Sequence, residues 1–177
     1  MTFLALIGYP HCGAEALAAA AEESGLARKV GFAEVTELMD VVDNDDVRTF
    51  RACFGRGEPP PPPVVARLWA KTCEGSVHAL VLGFPRSVEE FEVFSEAARE
   101  PVRLARVEVS PEVVEARRAA LGMVSLQLTR PGWTERWEAG FRPLLDLGQR
   151  KGVLISLDGT EAAEPNLTAL REALERP

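Results

Sequence analysis

Thr2-Phe3-Leu4-Ala5-Leu6-Ile7-Gly8-Tyr9-Pro10-His11-Cys12-Gly13-Ala14-Glu15-Ala16, continued by a helix-forming stretch to Glu23, reads as a strand, a glycine loop and a helix. A loop with Gly at its first and sixth positions between such elements is the frame in which backbone N–H groups and a helix N-terminus cradle phosphate. The full pattern, G-x-x-x-x-G-K-[ST], places Lys after the second Gly as a point charge on the phosphates, and then a hydroxyl for Mg²⁺. This chain has Ala14, Glu15 and Ala16 there. The backbone frame of the loop is present and its charged groups are missing.

At 177 residues the chain has the size of one domain, enough to bury about 70% of the surface of its unfolded form. Hydrophobic content of 46% and charged content of 27% are globular values and argue against general disorder. A net charge of -7 and a pI near 5.0 argue against nucleic acid as a partner, because duplex binding needs clustered Lys and Arg. No apolar run reaches the ~20 residues of a membrane span, and the N-terminus lacks a basic leader. A soluble, cytoplasmic protein without a membrane partner is expected. Cys12, Cys53 and Cys73 are odd in number and widely spaced, and His11 and His78 stand apart. Neither a disulfide framework nor a metal site is therefore expected.

Apolar runs at Phe3 to Ile7, Val77 to Leu82, Leu104 to Val109 and Val153 to Leu157 lack alternation, as in strands covered on both faces of a parallel sheet. Helical patterns separate them: 14–23, 45–54, 64–73, 88–99, 111–120, 133–149 and about 166–174. Alternating strands and helices mean an α/β fold, a three-layer sandwich around a central, mainly parallel sheet. Ser110-Pro111-Glu112 offers a cap, a Pro at the first helical position and an acid on the positive helix end, and Gly75 closes the preceding helix. Pro59 to Pro63 predicts a short polyproline strut, either a stiff connector or a docking site for an aromatic groove. Asp43-Asn44-Asp45-Asp46 lacks the Gly and distal Glu of a calcium loop and reads as a polar turn capping the next helix.

A second motif, Gly83-Phe84-Pro85-Arg86-Ser87, follows directly on the strand ending at Leu82. Together the two motifs resemble the adenylate kinase family of nucleoside monophosphate kinases, P-loop NTPases whose first motif reads G-x-P-G-x-G-K-G-T and whose second reads D-G-F-P-R. The likeness continues through Gly57-Glu58-Pro59-Pro60, Val107-Glu108-Val109-Ser110-Pro111-Glu112 with Arg117, Phe141-Arg142-Pro143-Leu144-Leu145, and Gln149-Arg150-Lys151-Gly152-Val153-Leu154. It spans the chain nearly end to end. The resemblance implies a single domain over 1–177, with a reduced nucleotide-monophosphate arm at about 30–74 and a short lid at about 119–133.

The departures fall on the chemical groups. Ala14, Glu15 and Ala16 replace the family's Lys, Gly and Thr, and Leu82 replaces its Mg²⁺-placing Asp. Glu15 would repel a polyphosphate by several kcal/mol at ~4 Å in a surface-like dielectric, and Leu82 cannot ligate a hard cation. Leu121 and Gln127 stand where lid arginines are expected, leaving Arg130 in that stretch. Val30 to Leu38 departs from the family's arm motif, and Arg48, Arg51 and Arg56 do not align with it. Gly8, Pro10, His11, Cys12, Gly13, Ala14, Glu15, Ala16 and Arg86 therefore form a vestigial nucleotide site with no catalytic residue.

Arg86 is either a surviving anion contact or the partner of a local carboxylate such as Glu89 or Glu90. His11 and Cys12 form either an ordinary loop pair or an activated thiol with its base. Trp133 and Trp137, at i and i+4, share one helix face, for core packing or as an interface anchor. The leading expectation is an inactive adenylate-kinase-like domain that needs no cofactor and serves as a structural or protein-binding subunit. Because related domains occur in cilia and flagella, the resemblance extends to an axonemal location. The alternatives are a weak kinase using ATP and Mg²⁺, and an inactive sensor that binds nucleotide weakly through loop amides and Arg86.

Overall fold

Five strands gather into one sheet in the computed structural model, which describes residues 1–121, 132–160 and 163–176, with Trp133 and Thr134 as backbone only. They are β1 (Thr2–Ile7), β2 (Arg28–Val30), β3 (His78–Leu82), β4 (Val102–Glu108) and β5 (Leu154–Asp158), in the order β2-β3-β1-β4-β5. Every pairing is parallel, with Phe3 flanked by Ala79 on one side and Val102 on the other.

The direction of winding reverses once. From β1 the chain passes through α1 (Ala14–Glu23) to the edge strand β2; each later crossover, through α4 (Pro62–Cys73), α5 (Val88–Ala98) and α7 (Trp133–Arg150), moves the opposite way. Right-handed crossovers then require α1 on one face and the later helices on the other. The packing agrees: α1 lies against α8 (Ala163–Glu175), and α5 lies against both α4 and α7. Successive β1 residues serve the two layers in turn. Phe3, Ala5 and Ile7 join a core with Trp69, Phe84, Phe94 and Leu144, while Leu4 and Leu6 join a second core with Leu17, Ala21, Leu170 and Leu174. Both faces being buried, the strand has no polar alternation to show. The fold is α/β with three layers, as expected, and the sheet is entirely rather than mainly parallel.

Three sequence expectations need correction. Pro59 to Pro63 is not a strut throughout, since Pro62 and Pro63 open α4 while Pro61 caps it with φ −58° and ψ 136°. The first helical positions need no donor N–H, so Pro is tolerated there. Between α1 and α4, β2 and the helix α2 (Phe32–Val41) replace what reads as an altered arm loop. β2 is three residues long and carries Arg28 and Lys29, too short and too charged to stand out. Finally, strand ends shift: β3 begins at His78, and β4 runs from Val102 to Glu108. The polar turn before α3 (Asp45–Gly55) does cap it, the Asn44 side chain accepting from the Val47 N–H at 2.9 Å.

Candidate functional site

Because β1 is central and the crossovers leave its two sides for opposite faces, the carboxyl edge of the sheet opens into a crevice beside it, where ligands bind in open α/β sheets. The glycine loop after β1 and the Gly83 loop after β3 line a cleft of about 720 Å³ there, with Arg117, Trp137 and Phe141 completing its walls. This volume lies in the range of small-molecule sites, ~300–1,000 Å³. The structure therefore brings together all nine residues singled out in the sequence.

Two glycines let backbones close on one another. A Cβ on Gly8 would stand 2.5 Å from Cys12 Sγ and 2.9 Å from the Val107 carbonyl; one on Gly159, in the turn after β5, would stand 2.4 Å from the Cys12 carbonyl. Gly13 needs its freedom for another reason, lying at φ +106° where it opens α1. Close packing thus accounts for Gly8, and backbone conformation for Gly13, without appeal to phosphate. Cys12 is buried at 3% exposure, and burial pushes its thiol above the ordinary range, outweighing the lowering effect of hydrogen bonding from nearby backbone and of Arg117. Of the two sequence readings, burial favours the ordinary loop pair over an activated thiol, since the helix end does not offset the desolvation of the anion.

Arg117 reaches from α6 (Pro111–Ala120) into the loop. Its Nη1 donates to the Cys12 carbonyl at 2.8 Å and to the His11 carbonyl at 3.3 Å, and its Nη2 donates to the Gly159 carbonyl at 2.6 Å. One guanidinium therefore ties the glycine loop to the β5–α8 turn. The position of α6 that permits this follows from its cap, where Ser110 Oγ accepts from the Val113 N–H ahead of Pro111.

Opposite, Gly83 turns at φ +73° and Phe84 packs into the core, stacked on Trp69 at 5.1 Å and edge-on to Phe94 at 5.4 Å, before a cis Phe84–Pro85 peptide. Arg86 then folds back onto Glu90. Its Nη2 donates to Glu90 Oε1 at 2.7 Å and its backbone N–H to Glu90 Oε2 at 2.6 Å, while the Glu90 N–H donates to Ser87 Oγ at 3.1 Å. The carboxylate is 4% exposed. Of the two sequence readings of Arg86, local pairing is the one present.

A second network was not legible beforehand. Tyr9 Oη donates to Glu138 Oε1 at 2.8 Å, and Arg106 Nη2 donates to the same oxygen at 2.9 Å. Burial first, and then the Glu138 hydrogen bond, push the Tyr9 hydroxyl up to about 12. The Tyr9 ring lies 4.5 Å from Trp137, which lies 4.5 Å from Phe141. Tyr9 and Glu138 are 129 positions apart, and nothing in their local sequence announces the pair. The same holds for Arg117 and Gly159.

The lid positions Gln127 and Arg130 lie outside the described residues, as does the Trp133 side chain. Among the described residues no group of three His, Cys, Asp or Glu side chains could hold a metal ion, and no helix is long and apolar enough to cross a membrane. Comparison with protein-family models and with curated proteins finds no match to this chain. The site must be judged on its chemistry. Leu82, Ala14 and Ala16 offer no ligand to Mg²⁺ or charge to phosphate, and Glu15 opposes an anion, so these residues do not fit a magnesium polyphosphate.

Proposed function

We propose that the chain is a catalytically inactive adenylate-kinase-like domain that works as a structural or protein-binding subunit. One observation carries this reading. The two guanidinium groups lining the cleft among the described residues, Arg86 and Arg117, are engaged by a buried carboxylate and by three backbone carbonyls. Phosphoryl transfer depends on positioned cations that meet charge developing in the transition state. Loss of one such donor costs on the order of 10²–10³ in rate, and among the described residues lining the cleft the loop Lys and the magnesium-placing Asp are replaced while both arginines are engaged. For a role in contact with another protein, the segment between α1 and α4 offers three exposed apolar side chains, Phe32, Val41 and Phe54, at 56%, 83% and 73% exposure, whose burial against a partner would be favourable.

A coupled assay for ADP formation from ATP and AMP with Mg²⁺ tests the loss of catalysis. No turnover above the blank is expected, and restoring Ala14→Lys with Ala16→Thr is expected to give none either. Turnover abolished by Arg86→Ala would overturn the proposal. For the binding role, a partner recovered from native lysate should be lost with Phe32→Glu plus Phe54→Glu; full retention by that variant would remove the arm as its contact.

A further inference from the structure

The cleft has gained something besides losing charge. Tyr9, Trp137 and Phe141 line one wall as an aromatic ladder, with ring centroids 4.5 Å apart at each step, the Trp137–Phe141 pair stacked at 20° and Tyr9 tilted by 55° to Trp137. Leu82 and Leu121 add aliphatic surface, and Ala14 and Ala16 leave the α1 side of the cleft narrow-chained and uncharged. Leu121 is 63% exposed at the end of α6, so this apolar surface continues out of the cleft to its rim. The charges nearby select against anions. Arg86 and Arg117 are held by protein groups, whereas the exposed Glu15 carboxylate stands in the first turn of α1 without an ion pair.

We propose that this cleft binds a small, planar, uncharged aromatic molecule. A flat ring lies against the aromatic ladder by offset stacking, as such rings prefer at centroid separations of ~4.5–7 Å, and its remaining edge meets Leu82 and Leu121. An added anionic group would have to approach Glu15, while the two arginines lining the cleft among the described residues are engaged by Glu90 and by backbone carbonyls. The cleft volume of about 720 Å³ suits a ligand of two or three fused or linked rings. This inference rests on the reading that the cleft no longer handles polyphosphate.

Two dyes sharing one skeleton test it: neutral N-phenylnaphthylamine and its anionic relative anilinonaphthalenesulfonate, each titrated by fluorescence into the full chain. Saturable one-to-one binding of the neutral dye is expected, about tenfold tighter than that of the sulfonate. Leu121→Glu, at an exposed position where folding is not at risk, should weaken the neutral dye about tenfold. Val77→Glu, at an exposed position outside the cleft, should leave it unchanged. Glu15→Lys should bring the sulfonate close to parity. No saturable binding of the neutral dye, equal binding of the two dyes by the unaltered chain, or indifference to Leu121→Glu would each overturn the inference. The coupled ADP assay separates this from the functional reading: turnover would sink the inactive-domain proposal whatever the dyes do, and dye failure without turnover would sink the ligand alone.

Discussion

Replacing Arg117 by Ala removes a side chain that joins the glycine loop to the β5–α8 turn. Its two short bonds, 2.8 Å to the Cys12 carbonyl and 2.6 Å to the Gly159 carbonyl, carry most of the effect, and the 3.3 Å contact to His11 adds little. Hydrogen bonds to charged groups contribute ~1.5–3 kcal/mol each. These carbonyls are only part-buried and water can replace the donor, so the lower figure applies and the loss is about 3 kcal/mol. With a urea dependence of about 2 kcal/mol per molar for a chain of this size, the unfolding midpoint should fall by about 1.5 M. Arg117→Lys should recover at most half, since one ammonium cannot span both loops as a planar fork does. A local readout accompanies the global one: the buried Cys12 thiol should react faster with a thiol reagent in Arg117→Ala, while Cys53 and Cys73, also buried, keep their rates. A midpoint shift below about 0.3 M with unchanged Cys12 reactivity would refute the stapling role, because the carbonyls would then be equally satisfied by water.

Tyr9 is the only tyrosine in the chain, so tyrosinate absorbance reports it alone. The folded protein should titrate near 12, and Glu138→Gln should move the midpoint down. Because the folded value lies above the unfolded value of 10, the stabilisation is complete below pH 10 and is lost as pH rises through 12; a folded midpoint at 10 would contradict the Tyr9–Glu138 contact. Gly159→Ala forces a Cβ against backbone oxygen at 2.4 Å and should destabilise by about 2 kcal/mol or more, measured by the same urea titration; a neutral effect would mean that the turn moves freely. Ser87→Ala removes the α5 cap, whose Oγ accepts from Glu90, and should cost about 1 kcal/mol, with no change in stability contradicting the capping role.

How far the chain could be read in advance follows from where its information is local. Four apolar runs and capping signals such as Ser110-Pro111 and Asn44 act within a few residues, so four of the five strands and most helices were legible. β2 was not, because three residues with two cations bury little and are held in place by pairing with β3. That the nine candidate residues would line one cleft was also legible, since a loop after a strand at the sheet's carboxyl edge is a local motif. What those residues do with their charges was not, because it is decided by partners far away in sequence. Arg86 was open between two roles until Glu90 was seen to be buried. Arg117 required the approach of α6 to the loop, and Tyr9 required α7 to cross it. The choice between an ordinary loop pair and an activated thiol was open for the same reason: a helix N-terminus argues for a low pKa, and only the fold shows Cys12 buried beside Gly8 and Gly159.

On the proposed reading, a glycine loop whose two cleft arginines, Arg86 and Arg117, are engaged by protein groups does not hold a polyphosphate. Isothermal titration of Mg²⁺-ATP into the full chain tests it directly. No saturable heat is expected at concentrations up to those that saturate an ordinary nucleotide site, with or without Mg²⁺. Stoichiometric binding that requires Mg²⁺ and disappears with Arg86→Ala or Arg117→Ala would contradict it, for those guanidinium groups would then have left Glu90 and the loop carbonyls to meet the ligand.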